Sequence, residues 1–274
     1  MAAGVCLTRC TYRLPLYGLV RKRPITFCSV KEDEQQEQER SERKPIFVAG
    51  ATGKTGKRIV TQLLERGFKV KAGVLDVERA SSSLPTHNSL QIVKADVTEG
   101  AAKLSDAIGD CEAVICATGF RPSLDFLVPW KVDNFGTVSL VDACQSIGIN
   151  RFILISSILV NGAATGQIFN PAYIVLNIFG LTLIAKLQAE QYIRKSGINF
   201  TIIRPGGLRD DPPSGNIVME PEDKLFEGSI SRDQVALVAV ESLLYPEASY
   251  KVVEIVSQAN APKKPLQELF SQIK

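Results

Sequence analysis

Between Lys44 and Leu64 the chain reads KPIFVAGATGKTGKRIVTQLL, and few folds accept that order of residues. Pro45 to Ala49 is a short unbroken apolar run, the pattern of a parallel strand covered on both faces. Gly50, Gly53 and Gly56 follow as G-x-x-G-x-x-G. Ile59, Val60, Leu63 and Leu64 then share one helical stripe, and Gly67 supplies a stop. Such a strand, turn and helix let a pyrophosphate approach bare main chain at a helix N-terminus, where free N–H groups and the helix dipole favour its charge. One glycine permits the turn, one the close approach and one the packing of helix on strand. The turn with Gly50, Thr52, Gly53, Lys54, Thr55 and Gly56 is therefore the expected dinucleotide-binding segment, the alternative being a purely structural βα turn.

The rest of the chain repeats the alternation. Apolar runs at 68–74, 91–94, 112–117, 151–155, 199–203 and 251–256 read as strands. Helical patterns lie near 101–108, 131–146, 172–191, 231–243 and 265–273, the fourth capped by Ser231. This order predicts an α/β fold, a doubly wound parallel sheet of about seven strands in a single domain over residues 45–274. Residues 209–229, rich in Asp, Pro and Gly, read as a mobile loop. The stretch 172–191 is strongly apolar, with interruptions expected at Asn177 and Gly180. Its apolar part, 172–185, would reach ~21 Å as a helix, short of the ~30 Å hydrocarbon core, so no transmembrane helix is expected. It reads as a helix packed on the sheet or as an exposed face for a lipid surface or a partner subunit.

Charge is unevenly placed. Residues 1–31 hold six basic side chains and no Asp or Glu, so a net charge of +3 less six leaves −3 on the remainder. The body thus lacks the basic excess that nucleic acid demands. The Arg-containing, hydroxyl-containing, acid-free start reads as an organelle transit peptide, plastid before mitochondrion. Residues 31–44, KEDEQQEQERSERK, contain no apolar side chain and read as a disordered linker. Cys111, Cys116 and Cys144 have no C-x-x-C spacing and His87 is the sole imidazole, so no metal site is expected.

Further cofactor contacts are expected at strand ends. Asp76, twenty residues after Gly56, suits the ribose hydroxyls of NAD(H), whereas Lys54 with Arg79 or Lys71 suits the 2′-phosphate of NADP(H). Asp96, followed by Val97, could receive the adenine amino group. Ala117, Thr118 and Gly119 end the fourth strand where backbone lies against a nucleotide in this architecture.

The motifs GATGKTG (50–56), ADV (95–97), ATG (117–119), VDNFGT (132–137), RFILISS (151–157), RPGGL (204–208) and ISRDQVA (230–236) resemble the atypical branch of the short-chain dehydrogenase/reductase superfamily. The match is to plastid members in particular, among them flavin-reductase-related plastoglobule proteins and the dehydrogenase-like subunit of the inner-envelope import machinery. The resemblance implies a chloroplast location (stroma, thylakoid surface or plastoglobule), with peripheral membrane, lipid-particle or protein-complex association. It implies an NAD(P)H-dependent oxidoreductase, with NADP(H) favoured and NAD(H) possible, and gives Pro205, Gly206 and Gly207 to the nicotinamide carboxamide. It assigns Ser157 and Lys186 to the catalytic group and an active-site role to Asn134. Where the family carries the Tyr of Tyr-x-x-x-Lys, this chain has Thr182, whose hydroxyl is too weak an acid for the usual proton transfer. Two functions fit: a reductase passing hydride to a flat conjugated small-molecule acceptor such as a flavin, quinone or tetrapyrrole-like molecule, or a dinucleotide-sensing or scaffold module without turnover. Ser156 and Ser157 orient a substrate carbonyl in the first case or satisfy backbone groups in either.

Overall fold

The computed structural model describes residues 43–119, 125–178 and 180–274. The expected transit segment, nearly all of the charged linker and Phe179 lie outside them.

The chain opens with β1 (Ile46–Ala49) and α1 (Lys54–Glu65), then β2 (Val70–Val74), a short α2 (Val77–Ser81), β3 (Leu90–Lys94), α3 (Ala101–Ile108) and β4 (Ala113–Cys116). A widened π-helical segment, Trp130–Phe135, runs directly into α4 (Gly136–Ser146). β5 (Arg151–Ile155), α5 (Pro171–Ile178), α6 (Thr182–Ser196), β6 (Asn199–Pro205) and β7 (Gly207–Arg209) follow. The last third holds β8 (Asn216–Pro221), β9 (Ser229–Ser231), α7 (Arg232–Glu241), β10 (Lys251–Gln258) and α8 (Leu266–Gln272).

Eight strands form one sheet in the order β3-β2-β1-β4-β5-β6-β10-β8, all parallel except β8, which runs antiparallel to β10. β7 and β9 form a separate parallel pair. The order reverses between β1 and β4, so the crevice at their C-terminal ends is the switch point where such sheets take ligands. Alternation within β1 shows why the sheet is covered twice. Ile46 and Val48 join the apolar cluster with Ile59, Leu63 and Val235, whereas Phe47 and Ala49 join Leu104, Leu140 and Phe152 on the other face.

The expected doubly wound parallel sheet is present, and two details are refined. All seven expected strands are present and parallel, and an eighth, Asn216–Pro221, adds antiparallel along the edge of β10. The stretch 209–229 is accordingly not a plain loop; it holds β8 and leads from the end of β7 to the start of β9. The helix expected at 131–146 starts with one π-helical segment. The apolar stretch 172–191 is interrupted where its sequence implied. The Asn177 carbonyl accepts from Leu181 N–H and its side chain accepts from Leu183 N–H. Gly180 has a φ of +95°, and α5 meets α6 at 87°. Among the described residues no single helix is long and apolar enough to cross a membrane.

Candidate functional site

The glycines of the turn after β1 stand where a side chain would meet backbone. Gly50 has a φ of +73°, and a Cβ there would lie 2.9 Å from the Ala117 carbonyl oxygen, so the turn is pressed against the exit of β4. A Cβ on Gly56 would come within 2.2 Å of the Gly50 carbonyl oxygen. Gly53 is the N-cap of α1 and supplies no side-chain cap, and the first turn carries no acidic residue. The N–H groups of Lys54, Thr55 and Gly56 therefore lack helical partners, and the positive end of the helix dipole is not neutralised. Thr52 and Thr55 flank the turn half-buried. Closed to side chains and favourable to an anion, this cradle fits the pyrophosphate of a dinucleotide.

Around it stand the other residues expected from the sequence. Asp76 caps α2 by accepting from Arg79 N–H at 3.0 Å, and both side chains are exposed at the end of β2. Asp96 caps a short 3₁₀ turn, accepting from the N–H and hydroxyl of Thr98 at 2.9 and 2.7 Å. Val97 is buried under Gly136, where a Cβ would lie 2.6 Å from its methyl. Lys71 faces the other way: its ammonium donates to the Ile108 carbonyl at 3.1 Å, at the N-terminal edge of the sheet. Lys54 reaches out to Asp210 at 2.6 Å, and Asp210 is also 2.9 Å from Arg232 and 3.7 Å from Arg58. The Lys54 hydrogen bond, helped by Arg232, holds the Asp210 carboxyl below the usual range.

Deeper in the crevice, α6 and the π-helical segment meet through a buried ion pair. Lys186 Nζ lies 2.7 Å from Asp133 Oδ1, with the aspartate side chain 0% and the lysine side chain 13% exposed. Burial is the largest single effect and would lower the lysine pKa; the Asp133 carboxylate, with smaller help from Cys116 and Glu190, turns the net shift upward, so Lys186 is an ammonium at neutral pH. Cys116 lies close enough to feel this charge, yet burial pushes its thiol upward; Thr118 Oγ1 is 3.2 Å from its sulfur. Thr182, one turn before Lys186, is buried, and its hydroxyl meets no partner among the described residues.

Asn134 stands beside Asp133 but does a different job. Its amide donates to the Ala185 carbonyl at 3.3 Å and to Gln188 at 3.4 Å, joining the two helical segments. Sequence reasoning missed Asp133, for which the available signal was an acidic residue inside the VDNFGT motif.

Of the two serines, Ser157 is half-buried at the exit of β5, and Ser156 is buried and donates to Glu190 at 2.5 Å. Glu190 also binds Arg204 at 2.7 Å, and Arg204 continues to Asp223 at 2.8 Å and Glu254 at 3.4 Å. Glu254 in turn accepts from the N–H groups of Asp223, Lys224 and Leu225. This network, also missed in the sequence, anchors the 222–225 turn beneath the ends of β6 and β10. Pro205 accepts from Ile158 N–H, Gly206 donates to Ile255, and Gly207 donates to Gly228. Gly228, Leu225, Phe226, Gln167, Asn170 and Val256 line a cavity of about 550 Å³ in that region, a size suited to a small molecule.

Residues 50–246 match the model of a family described as NAD(P)H-binding. A chloroplastic protein of Arabidopsis thaliana is 65% identical over 250 residues, covering 91% of this chain and 89% of that protein. The chloroplastic protein TIC 62 of Pisum sativum is 35% identical over 250 residues, 83% of this chain, which spans 46% of that longer protein. The structure of a putative NAD-dependent epimerase/dehydratase from Bacillus halodurans aligns with a TM-score of 0.71 at 25% identity, over 84% of this chain and 99% of that one. With the matched region running from the glycine turn through α7, the chain belongs to the NAD(P)H-binding Rossmann-fold family.

Proposed function

We propose that the protein is a plastid NAD(P)H-dependent reductase that passes hydride to a flat conjugated acceptor such as a flavin, quinone or tetrapyrrole-like molecule. The observation that carries this reading is the glycine turn at Gly50–Gly56, opening α1 without a side-chain cap, with the Lys186–Asp133 pair at the same end of the sheet. In it, Gly50, Gly53 and Gly56 admit the pyrophosphate, and Ala117, Thr118 and Gly119 line the nucleotide at the exit of β4. Pro205, Gly206 and Gly207 hold the nicotinamide end, with Lys186 donating to the nicotinamide ribose. A bound reduced nicotinamide supplies the hydride. Because the anion developing on a conjugated acceptor is delocalised, orientation matters more than a strong acid, and water can deliver the proton; Thr182 in place of Tyr is then no obstacle. Ser157 orients the acceptor.

NADP(H) is favoured by Lys54 in the turn and Arg79 after β2, while Asp76 keeps NAD(H) in competition. A plastid address is supported by the chloroplastic relatives and by the basic, acid-free N-terminal segment. Titration of the full chain with NADPH and NADH, followed by an acceptor screen at saturating cofactor, tests the reading. Tight NADPH binding and its oxidation by at least one acceptor class is the expected result; binding without oxidation by any of the three classes overturns the reductase assignment.

A second reading, a dinucleotide-sensing or scaffold module, is favoured by the buried Thr182 hydroxyl, which meets no partner among the described residues, and by the engagement of Lys186 with Asp133. Its mark is cofactor binding that changes association with a partner or membrane while no acceptor is reduced.

A further inference from the structure

Beside the glycine turn, cations from two helices meet on one carboxylate. Lys54 opens α1, Arg58 lies one turn further on, and Arg232 opens α7. Asp210, just past the end of β7, lies 2.6 Å from Lys54, 2.9 Å from Arg232 and 3.7 Å from Arg58. The three cations do not depend on it equally. Arg58 also pairs with Asp233 at 3.1 Å and donates to the Lys54 carbonyl at 2.8 Å. Arg232 also donates to the Leu208 carbonyl at 3.4 Å. For the Lys54 ammonium, Asp210 is the one partner among the described residues. Neutralising Asp210 would therefore leave both arginines engaged and release the lysine alone.

We propose that Asp210 sets the balance between NADPH and NADH by contesting the Lys54 ammonium with the 2′-phosphate. This rests on the reading of Lys54 as a contact for that phosphate, and it does not depend on turnover. The lysine stem starts at the end of α1 where the nucleotide is expected, yet its charge is spent on a carboxylate from the other side of the turn. A phosphate that takes Lys54 must either displace Asp210 or share the ammonium with it, and in both cases a negative charge opposes it. NADH brings no phosphate to that point, and the pyrophosphate is common to both cofactors, so the opposition falls on the NADPH:NADH ratio. Both side chains are solvent-exposed, Lys54 at 70% and Asp210 at 44%. An exposed pair of this kind shifts an equilibrium by about fivefold at most, which bounds the effect.

The test is calorimetric titration of the full chain with NADPH and with NADH, at low and high salt. Wild type is compared with Asp210→Asn, Asp210→Glu, Lys54→Met and the double variant Asp210→Asn, Lys54→Met. Asp210→Asn should tighten NADPH binding about 3–5-fold and leave NADH within about twofold, with the gain shrinking at high salt. Asp210→Glu keeps the charge and should bind as wild type does. In the Lys54→Met background, Asp210→Asn should bring no gain. An NADPH:NADH ratio unmoved by Asp210→Asn, or a gain that persists without Lys54, overturns the inference. So does equal weakening of both cofactors, which would make Asp210 a clamp that ties the segment after β7 to the turn. Wild-type binding of NADPH with an unmoved ratio defeats this inference alone, whereas binding of neither cofactor by any of the forms defeats the nucleotide reading and the inference with it.

Discussion

Replacing Asp133 by Asn isolates the electrostatic feature on which the crevice depends. The substitution keeps the shape but removes the carboxylate that lies 2.7 Å from Lys186, leaving an ammonium in a site where the pair is almost fully buried. Breaking a buried pair on one side costs about 3–5 kcal/mol, because the surviving charge keeps its desolvation penalty and loses its compensation. For a domain of this size each kcal/mol moves the melting temperature by roughly 2–4 °C, so D133N should melt about 6–20 °C below the wild type at pH 7. The pH dependence fixes the sign. In the wild type the folded-state pKa of Lys186 is raised, so its contribution is fully present below the unfolded value of about 10.4 and is lost as pH rises through the folded value. In D133N desolvation, the largest single effect, is opposed only by the more distant Cys116 and Glu190, and the folded value drops below that of the unfolded chain. The variant is then most handicapped at neutral pH, and its gap to wild type narrows as pH approaches about 10. The double variant D133N/K186M buries no charge and should recover to within about 2 kcal/mol of wild type. Melting curves of wild type, both single variants and the double variant at pH 7 and 9.5 complete the cycle. A gap below about 2 °C at pH 7, a gap that stays constant with pH, or a double variant no more stable than D133N would refute the reasoning.

Three other outcomes follow from the same geometry. Gly56→Ala places a methyl 2.2 Å from the Gly50 carbonyl and should cost about 1–3 kcal/mol by overpacking while weakening NADPH binding at least ~10-fold, as calorimetric titration would show. Arg204→Met strands Glu190 and Glu254, both essentially unexposed, and should cost about 3–5 kcal/mol in urea unfolding at pH 7; Arg204→Lys should not restore the loss, because one ammonium cannot replace a forked guanidinium. Ser231→Ala removes the N-cap that accepts from Gln234 N–H and should cost about 1 kcal/mol, measured by thermal unfolding, with NADPH affinity unchanged.

What could be read from the sequence was what depends on near neighbours. The glycine turn, its helix and the strands were legible because spacing alone puts Gly50, Gly53 and Gly56 on one bend and Ile59, Val60, Leu63 and Leu64 on one stripe. The break within 172–191 was legible too, since Asn177 and Gly180 are poor residues for the middle of a helix. Pairings between distant segments were not. Asp133 and Lys186 meet only after α6 has packed on the π-helical segment, so the motif drew attention to Asn134 instead. Glu254 read as an ordinary strand residue because nothing local reveals that three backbone N–H groups and Arg204 converge on it. β8 was hidden by its setting: Pro212, Pro213 and Gly215 before it and Pro221 at its end masked the short apolar run Ile217–Met219, which gains its meaning from the edge of β10.

The corner at Gly180 has a consequence for how this region can vary. In one continuous helix, an added residue would turn everything downstream by about 100° and swing Lys186 away from its aspartate. Here the direction is reset before α6 begins, with Leu181 also in a left-handed conformation and Asn177 fixing the first turn. Residues can therefore be gained or lost near the start of α5 without disturbing the register of the lysine, and the two helices are free to change at different rates.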